Sequence, residues 1–159
     1  MITFVNRFAF KEMLHSKNAE SSNALIHNKL AYISISDTKR EKREIEYLFI
    51  FTEIDPYSYI TLSFPDNEQG IPSDEAQRLV AFIKAHPDKD FIVHCFMGIS
   101  RSGAVAKFIN EYYDMNDVIL NTYTGYNRQV YNSLNAVIGK DIASYYAELE
   151  KADRGCWSE

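Results

Sequence analysis

The chain is poor in cysteine, has no long apolar run and carries no surplus of positive charge, and each shortage excludes a class of protein. Two cysteines in 159 residues, Cys95 and Cys156, make neither a disulfide framework nor a metal-binding array. At least one is expected to be a free thiol. No stretch approaches ~18 uninterrupted apolar residues, and the N-terminus lacks a basic stretch followed by an apolar run. Neither a membrane span nor a secretory signal is expected, and the reading is a soluble, cytoplasmic protein. A formal net charge of −5 argues against a surface built mainly to grip nucleic acid or an anionic membrane. An anionic ligand would therefore have to be held locally, in a specific pocket. His15, His27 and His86 share no spacing that suggests a metal site. They read as surface or helix-end histidines, and no metal or cofactor is expected. Neither an internal repeat nor a low-complexity segment occurs.

What is present is enough apolar side chain for one sizeable core: 46% hydrophobic and 14% aromatic residues. The expectation is one domain over residues 1–159, with 151–159 a short tail. Residues 2–5 read as a strand, followed by Phe10, Met13 and Leu14 at helical spacing. Residues 31–35, 47–52 and 59–64 are strand candidates, being apolar and rich in aromatic or β-branched side chains. Between the first two lies a mixed-charge run, residues 37–46, which reads as a solvated loop or exposed helix turn, or as a docking surface for an acidic partner. Residues 65–72, with Gly70 between two prolines, read as a surface loop. Ser73 is expected to cap the next helix, Asp74 and Glu75 suit its first turn, and Ala76, Leu79, Val80 and Ile83 form its apolar face. Pro87 ends that helix, and residues 91–93 are a short, wholly apolar strand of the kind buried on both faces. Further helical patterns follow at Val105/Phe108/Ile109/Tyr112, Val130/Leu134/Val137/Ile138 and Ile142/Tyr145/Tyr146/Leu149. Strands alternating with helices predict an α/β sandwich, with a mostly parallel central sheet of four to five strands flanked by helices.

The chemistry concentrates in residues 94–103, His-Cys-Phe-Met-Gly-Ile-Ser-Arg-Ser-Gly, between the buried strand and a helix start. A loop wrapping from a strand end into a helix N-terminus aims backbone N–H groups and the positive end of the helix dipole at one spot, which suits an anion. Gly98 lets the loop turn, and five residues separate Cys95 from Arg101, enough for one closed cradle. A thiol so placed is expected to ionise below the ~8.5 of free cysteine, and a guanidinium can grip a phosphate through two parallel hydrogen bonds. The plain alternatives are an inert core thiol for Cys95, an ordinary helix residue for Arg101 and a simple helix cap for Ser102.

The pattern H-C-x-x-G-x-S-R-S resembles the active-site loop of the protein tyrosine phosphatase superfamily, in its dual-specificity branch and the small microbial and viral proteins related to it. The resemblance covers about residues 64–113. It implies a three-layer cysteine-phosphatase fold and hydrolysis of phosphomonoesters in proteins, through a phosphocysteine intermediate and without a metal. It makes Cys95 the nucleophile and Arg101 the phosphate clamp. Ser102 becomes the hydroxyl that stabilises the departing thiolate, and His94 a neighbour that fixes the loop. Phe96, Met97, Gly98, Ile99 and Ser100, with Arg101, become the phosphate-binding loop. Met97 departs from the small or acidic residue often found there, which bears on substrate preference. Residues 126–129, Tyr-Asn-Arg-Gln, resemble a family segment that begins with Asn; no catalytic role is carried over to Gln129.

The same mechanism calls for a general acid on a loop ahead of the cysteine strand. Asp66, 29 residues before Cys95, fits best. Asp74 is the rival, already explained by a helix first turn, and Asp55, before Pro56, reads as a turn residue. Asp66 as a simple turn residue is the plain reading. The partner is then a phosphorylated protein. A non-protein phosphoester (phosphoinositide, nucleotide or RNA 5′-phosphate), a slow phosphate-binding module, and sulfur transfer or arsenate reduction stay as alternatives. A redox pairing of Cys156 with Cys95 is also open.

Overall fold

A computed structural model describes residues 1–18 and 29–140. His27, Cys156 and the helical pattern at Ile142/Tyr145/Tyr146/Leu149 lie outside the described residues. Four strands, β1 (Ile2–Val5), β2 (Leu30–Ser36), β3 (Tyr59–Ser63) and β4 (Asp90–His94), form one all-parallel sheet in the order β1-β4-β2-β3. The register sets Val93 opposite both Phe4 and Ile33, and Ile33 opposite Ile60. Helices cover both faces, so the α/β three-layer expectation is met.

Side chains alternate across the sheet with the two-residue period of a strand. Ala31, Ile33, Ile35, Phe91 and Val93 meet one helical layer, built from α3 (Ser73–Lys84), α4 (Arg101–Tyr112) and α6 (Arg128–Val137). Leu30, Tyr32 and Ile92 meet the other, built from α1 (Arg7–Asn18) and α2 (Lys39–Phe51), through Phe10, Leu14, Ile45 and Phe49. Both faces being covered explains why β2 and β4 read as continuous apolar runs. A five-residue helix, α5 (Val118–Thr122), with Asp117 as its cap, has no counterpart in the sequence reading. Among the described residues, no helix is long and apolar enough to cross a membrane.

Several expectations need correcting. Residues 47–52 are not a strand: through Phe51 they are the second half of α2, which starts in the mixed-charge run. Ile45 and Phe49, four residues apart, are fully buried, whereas Tyr47, Ile50 and Phe51 face outward, so the helical period overrode the strand-like composition. Thr38 caps α2, accepting from the Glu41 amide, and Glu41 reaches back to the Asp37 amide. Ser73 is not a cap but the first residue of α3; Pro72 takes the cap position, with φ near −55°, and its carbonyl accepts from the Ala76 amide. His86 sits near a helix end as expected, but it is buried, with its ring nitrogens against the carbonyls of Phe82 and Tyr57 at 2.7 and 2.8 Å. Val137 is exposed at the end of α6.

Because all four strands run the same way, their carboxyl ends line one edge of the sheet, the usual ligand side of an open α/β sheet. That edge presents Arg7 after β1, Cys95 after β4, Asp37 after β2 and the 64–67 turn after β3. Phe10 braces it from below: fully buried, it stacks on His94 at 4.1 Å and meets Tyr32 and Phe49 edge-on at 6.0 and 5.9 Å. Phe10→Ala is expected to cost about 3–5 kcal/mol, read by urea denaturation; a loss below about 1 kcal/mol would contradict this packing.

Candidate active site

The loop after β4 is shaped by what holds its carbonyls. The Phe96 carbonyl accepts from the Arg7 amide at 3.1 Å, that of Ser100 from the Asn127 amide at 3.0 Å, and that of Ile99 from the Tyr123 hydroxyl at 2.6 Å. The Ser100 carbonyl also accepts from the Ala104 amide at 3.1 Å, the first bond of α4, so the loop is tied both to its neighbours and to the helix that follows it. Among the described residues, no backbone carbonyl accepts from the amides of residues 96–100. Gly98 makes the tight turn possible. Its φ is +72°, and a Cβ there would lie 2.4 Å from the Asn6 nitrogen and 2.5 Å from the Val5 carbonyl carbon. Gly103 serves the same end from the helix: Tyr123 lies against it, and a Cβ would come within 2.5 Å of the tyrosine ring.

Cys95 is buried at the base of this loop, and its Sγ lies 3.1 Å from the Ser102 hydroxyl. Burial pushes the thiol up, but the Ser102 hydroxyl and the amides of Ser102, Ile99 and Gly98 outweigh it, and the net shift is downward from the ordinary thiol value. The sulfur is thus held by donors that favour its anion. Ser102 lies within the first turn of α4 and spends its hydroxyl on the sulfur, so it is not a mere cap.

His94 is built into the core beneath the loop. It is fully buried, its Nε2 lies 2.6 Å from the Ser34 hydroxyl and its Nδ1 lies 3.4 Å from the Cys95 carbonyl. Burial pushes its pKa down to about 3, the Cys95 carbonyl opposes that, and the charges of Arg7 and Arg101 add to the lowering. A neutral imidazole stacked on Phe10 therefore ties the base of the loop to β2 and α1.

Arg101, the first residue of α4, is buried with 3% of its surface exposed. Its Nη1 donates to the Phe64 carbonyl at 2.8 Å and pairs with Asp37 Oδ1 at 2.6 Å. Its Nε, also buried, has no partner among the described residues. A buried donor without an acceptor is costly, and this one belongs to a guanidinium suited to oxyanions. One terminal nitrogen of the group is thus committed to the protein, while Nε has no acceptor among the described residues.

Asp66 is exposed on the turn after β3 and leans toward the same loop: its Oδ1 accepts from the Ser100 hydroxyl at 2.9 Å and from Asn127 Nδ2 at 2.8 Å. The Arg101 bond to Phe64 anchors the root of that turn two residues earlier. Asp74 remains in the first turn of α3, and Asp55 accepts from the Tyr57 amide in a local turn, as expected. Among the predicted loop residues, Phe96, Met97 and Ile99 project apolar side chains into solvent.

Two participants were not singled out by sequence, and a third, Asn127, was noted only as the Asn of the 126–129 segment. Asp37 was read only as the start of a charge run, although its place directly after a buried parallel strand puts it on the ligand edge of the sheet. Asn127 caps α6 through Oδ1, which accepts from the Gln129 and Val130 amides, while its Nδ2 clasps Asp66 and the Asn67 carbonyl. Tyr123 left no signal, since its role depends on a contact with Gly103 twenty residues earlier in the chain.

The thiolate absorbance of Cys95, followed in the ultraviolet against pH in a Cys156→Ser background, is expected to appear below the ~8.5 midpoint of a free thiol, and Ser102→Ala is expected to move that midpoint upward. A midpoint at or above the free-thiol value would contradict the arrangement. Compared with known protein families, curated proteins and solved structures, the chain gives no match in any of the three.

Proposed function

We propose that the protein is a cysteine-dependent phosphatase that hydrolyses phosphomonoesters on proteins. The observation that carries this reading is the presence, at the two ends of one loop, of a thiol whose anion is favoured by a hydroxyl and three amides and of a buried guanidinium that keeps one donor unpaired. An inert core thiol has no use for such donors, and an ordinary helix arginine would not be buried against two fixed acceptors.

In this reading the Cys95 thiolate attacks phosphorus and the ester P–O bond breaks. The leaving oxygen takes the proton of Asp66, and the phosphoryl group rests on Cys95. Water then attacks the phosphorus, giving its proton to the Asp66 carboxylate. The S–P bond breaks, and Ser102 donates to the sulfur as it regains its charge. Arg101 and the loop amides bind the equatorial oxygens, whose charge is spread out in a loose transition state. Asp37 and Phe64 hold Nη1, so that the guanidinium does not have to be oriented at each turnover. Because the nucleophile must stay reduced, we assign the activity to the cytoplasm.

Cys95→Ser is expected to lower turnover of an aryl phosphate at least about a thousandfold while still binding inorganic phosphate by calorimetry; equal rates in the variant and the parent would refute the assignment. Asp66→Asn is expected to cost about a hundredfold for a poor leaving group such as phenyl phosphate and much less for a nitrophenyl ester. No effect of that change, together with negligible turnover by the parent, would favour a phosphate-binding module instead.

A further inference from the structure

Beside the loop lies a pocket of about 350 Å³ lined by Asn6, Arg7, Phe8, Lys11, Phe96 and Met97, at the small end of the range for ligand sites. Three large apolar side chains border it and are offered to solvent: Phe8 is 73%, Phe96 52% and Met97 63% exposed. Such a cluster on one opening is unlike the scattered apolar residues of an ordinary surface. Its walls are fixed. The Arg7 amide holds the Phe96 carbonyl, Gly98 presses on the Asn6 backbone, and Asn6 itself accepts from the Ala9 amide at 2.7 Å.

The two cations of the pocket differ. Arg7 is spent on Glu44 at 3.0 Å and on the Glu41 carbonyl at 3.3 Å. Lys11 forms no salt bridge among the described residues. The pocket therefore joins an apolar wall to an available positive charge in a chain whose net charge is −5. Because Phe96 directly follows Cys95, a side chain one or two positions from a phosphorylated residue can reach it, adjacent Cα atoms being ~3.8 Å apart.

Resting on the phosphatase reading, we propose that this pocket is a specificity subsite for the peptide around the phosphorylated residue, taking a large apolar side chain against Phe8, Phe96 and Met97 and a neighbouring carboxylate against Lys11. A lipid surface is the other chemistry that exposed aromatic groups fit, but the net negative charge opposes approach to anionic membranes.

The test compares two phosphotyrosyl peptides, one with Leu-Asp and one with Ser-Ser beside the phosphotyrosine, and a small aryl phosphate that cannot reach the pocket. The expected result is a kcat/KM about tenfold higher for the Leu-Asp peptide. Phe8→Ala should lower that value about fivefold and Lys11→Ala about threefold, mainly through KM, with aryl phosphate turnover unchanged. Equal rates for the two peptides, or an equal loss on the aryl phosphate, would overturn the subsite, as would activation by anionic vesicles with no discrimination between peptides. If neither peptide nor aryl phosphate is hydrolysed, the catalytic reading falls, and fluorescence anisotropy with the same peptides decides the pocket. A Phe8-dependent preference in affinity sustains it; equal affinities overturn it.

Discussion

The site depends on the tethering of three carbonyls, those of Phe96, Ile99 and Ser100. Those bonds fix the path of the loop, and with it the position of the Gly98, Ile99 and Ser102 amides that favour the Cys95 anion. The tethers come from separate parts of the chain: the start of α1, Tyr123 after α5, and the cap of α6. The placement of those amides is thus a property of the whole assembled domain, and a short isolated loop would have no reason to keep it. The same frame demands glycine where it touches β1, because at Gly98 there is room for neither a Cβ nor an ordinary φ.

Arg101 illustrates how a buried charge is accommodated when its pairing within the protein is incomplete. Removing a guanidinium from water is costly unless it is paired. Here Asp37 and the Phe64 carbonyl meet Nη1, while Nε keeps an unmet donor. Asp37 itself remains partly in water, which lowers the cost of its side of the pair. The same arginine links the root of the Asp66 turn to the cysteine loop. Ser100 and Asn127 complete that link at the carboxylate, so the proposed acid and the proposed clamp are mechanically joined.

Much of this was legible in the sequence. The central strand could be read because β4 is covered on both faces and so is apolar throughout. The loop could be read because its demands fall on residues close together, with Cys95, Gly98, Arg101 and Ser102 within eight positions. Asp66 was reachable through the family resemblance, which implies a carboxylate on the loop ahead of the cysteine strand. The misreading of residues 47–52 has a physical cause: their aromatic and β-branched side chains favour strands locally, but a helix nucleated at Thr38 and Glu41 needed only Ile45 and Phe49 to bury. The Thr-x-x-Glu signature was present in the sequence and outweighed composition. Asp37, Tyr123 and Asn127 act on Arg101, Ile99 and Asp66, partners far from them in sequence, and those pairings are what local patterns did not encode.

That strand order also has a consequence for how the protein is made. The strand bearing the thiol is the last of the four in the chain, yet it occupies an interior slot, between β1 and β2. Pairings of such long sequence separation form late, and two of the three tethering groups, Tyr123 and Asn127, lie later still in the chain. The donors that favour the Cys95 anion therefore reach their places only when β4 has entered the sheet and Tyr123 and Asn127 have closed on the loop, so the sulfur of an incompletely folded chain keeps the character of an ordinary thiol.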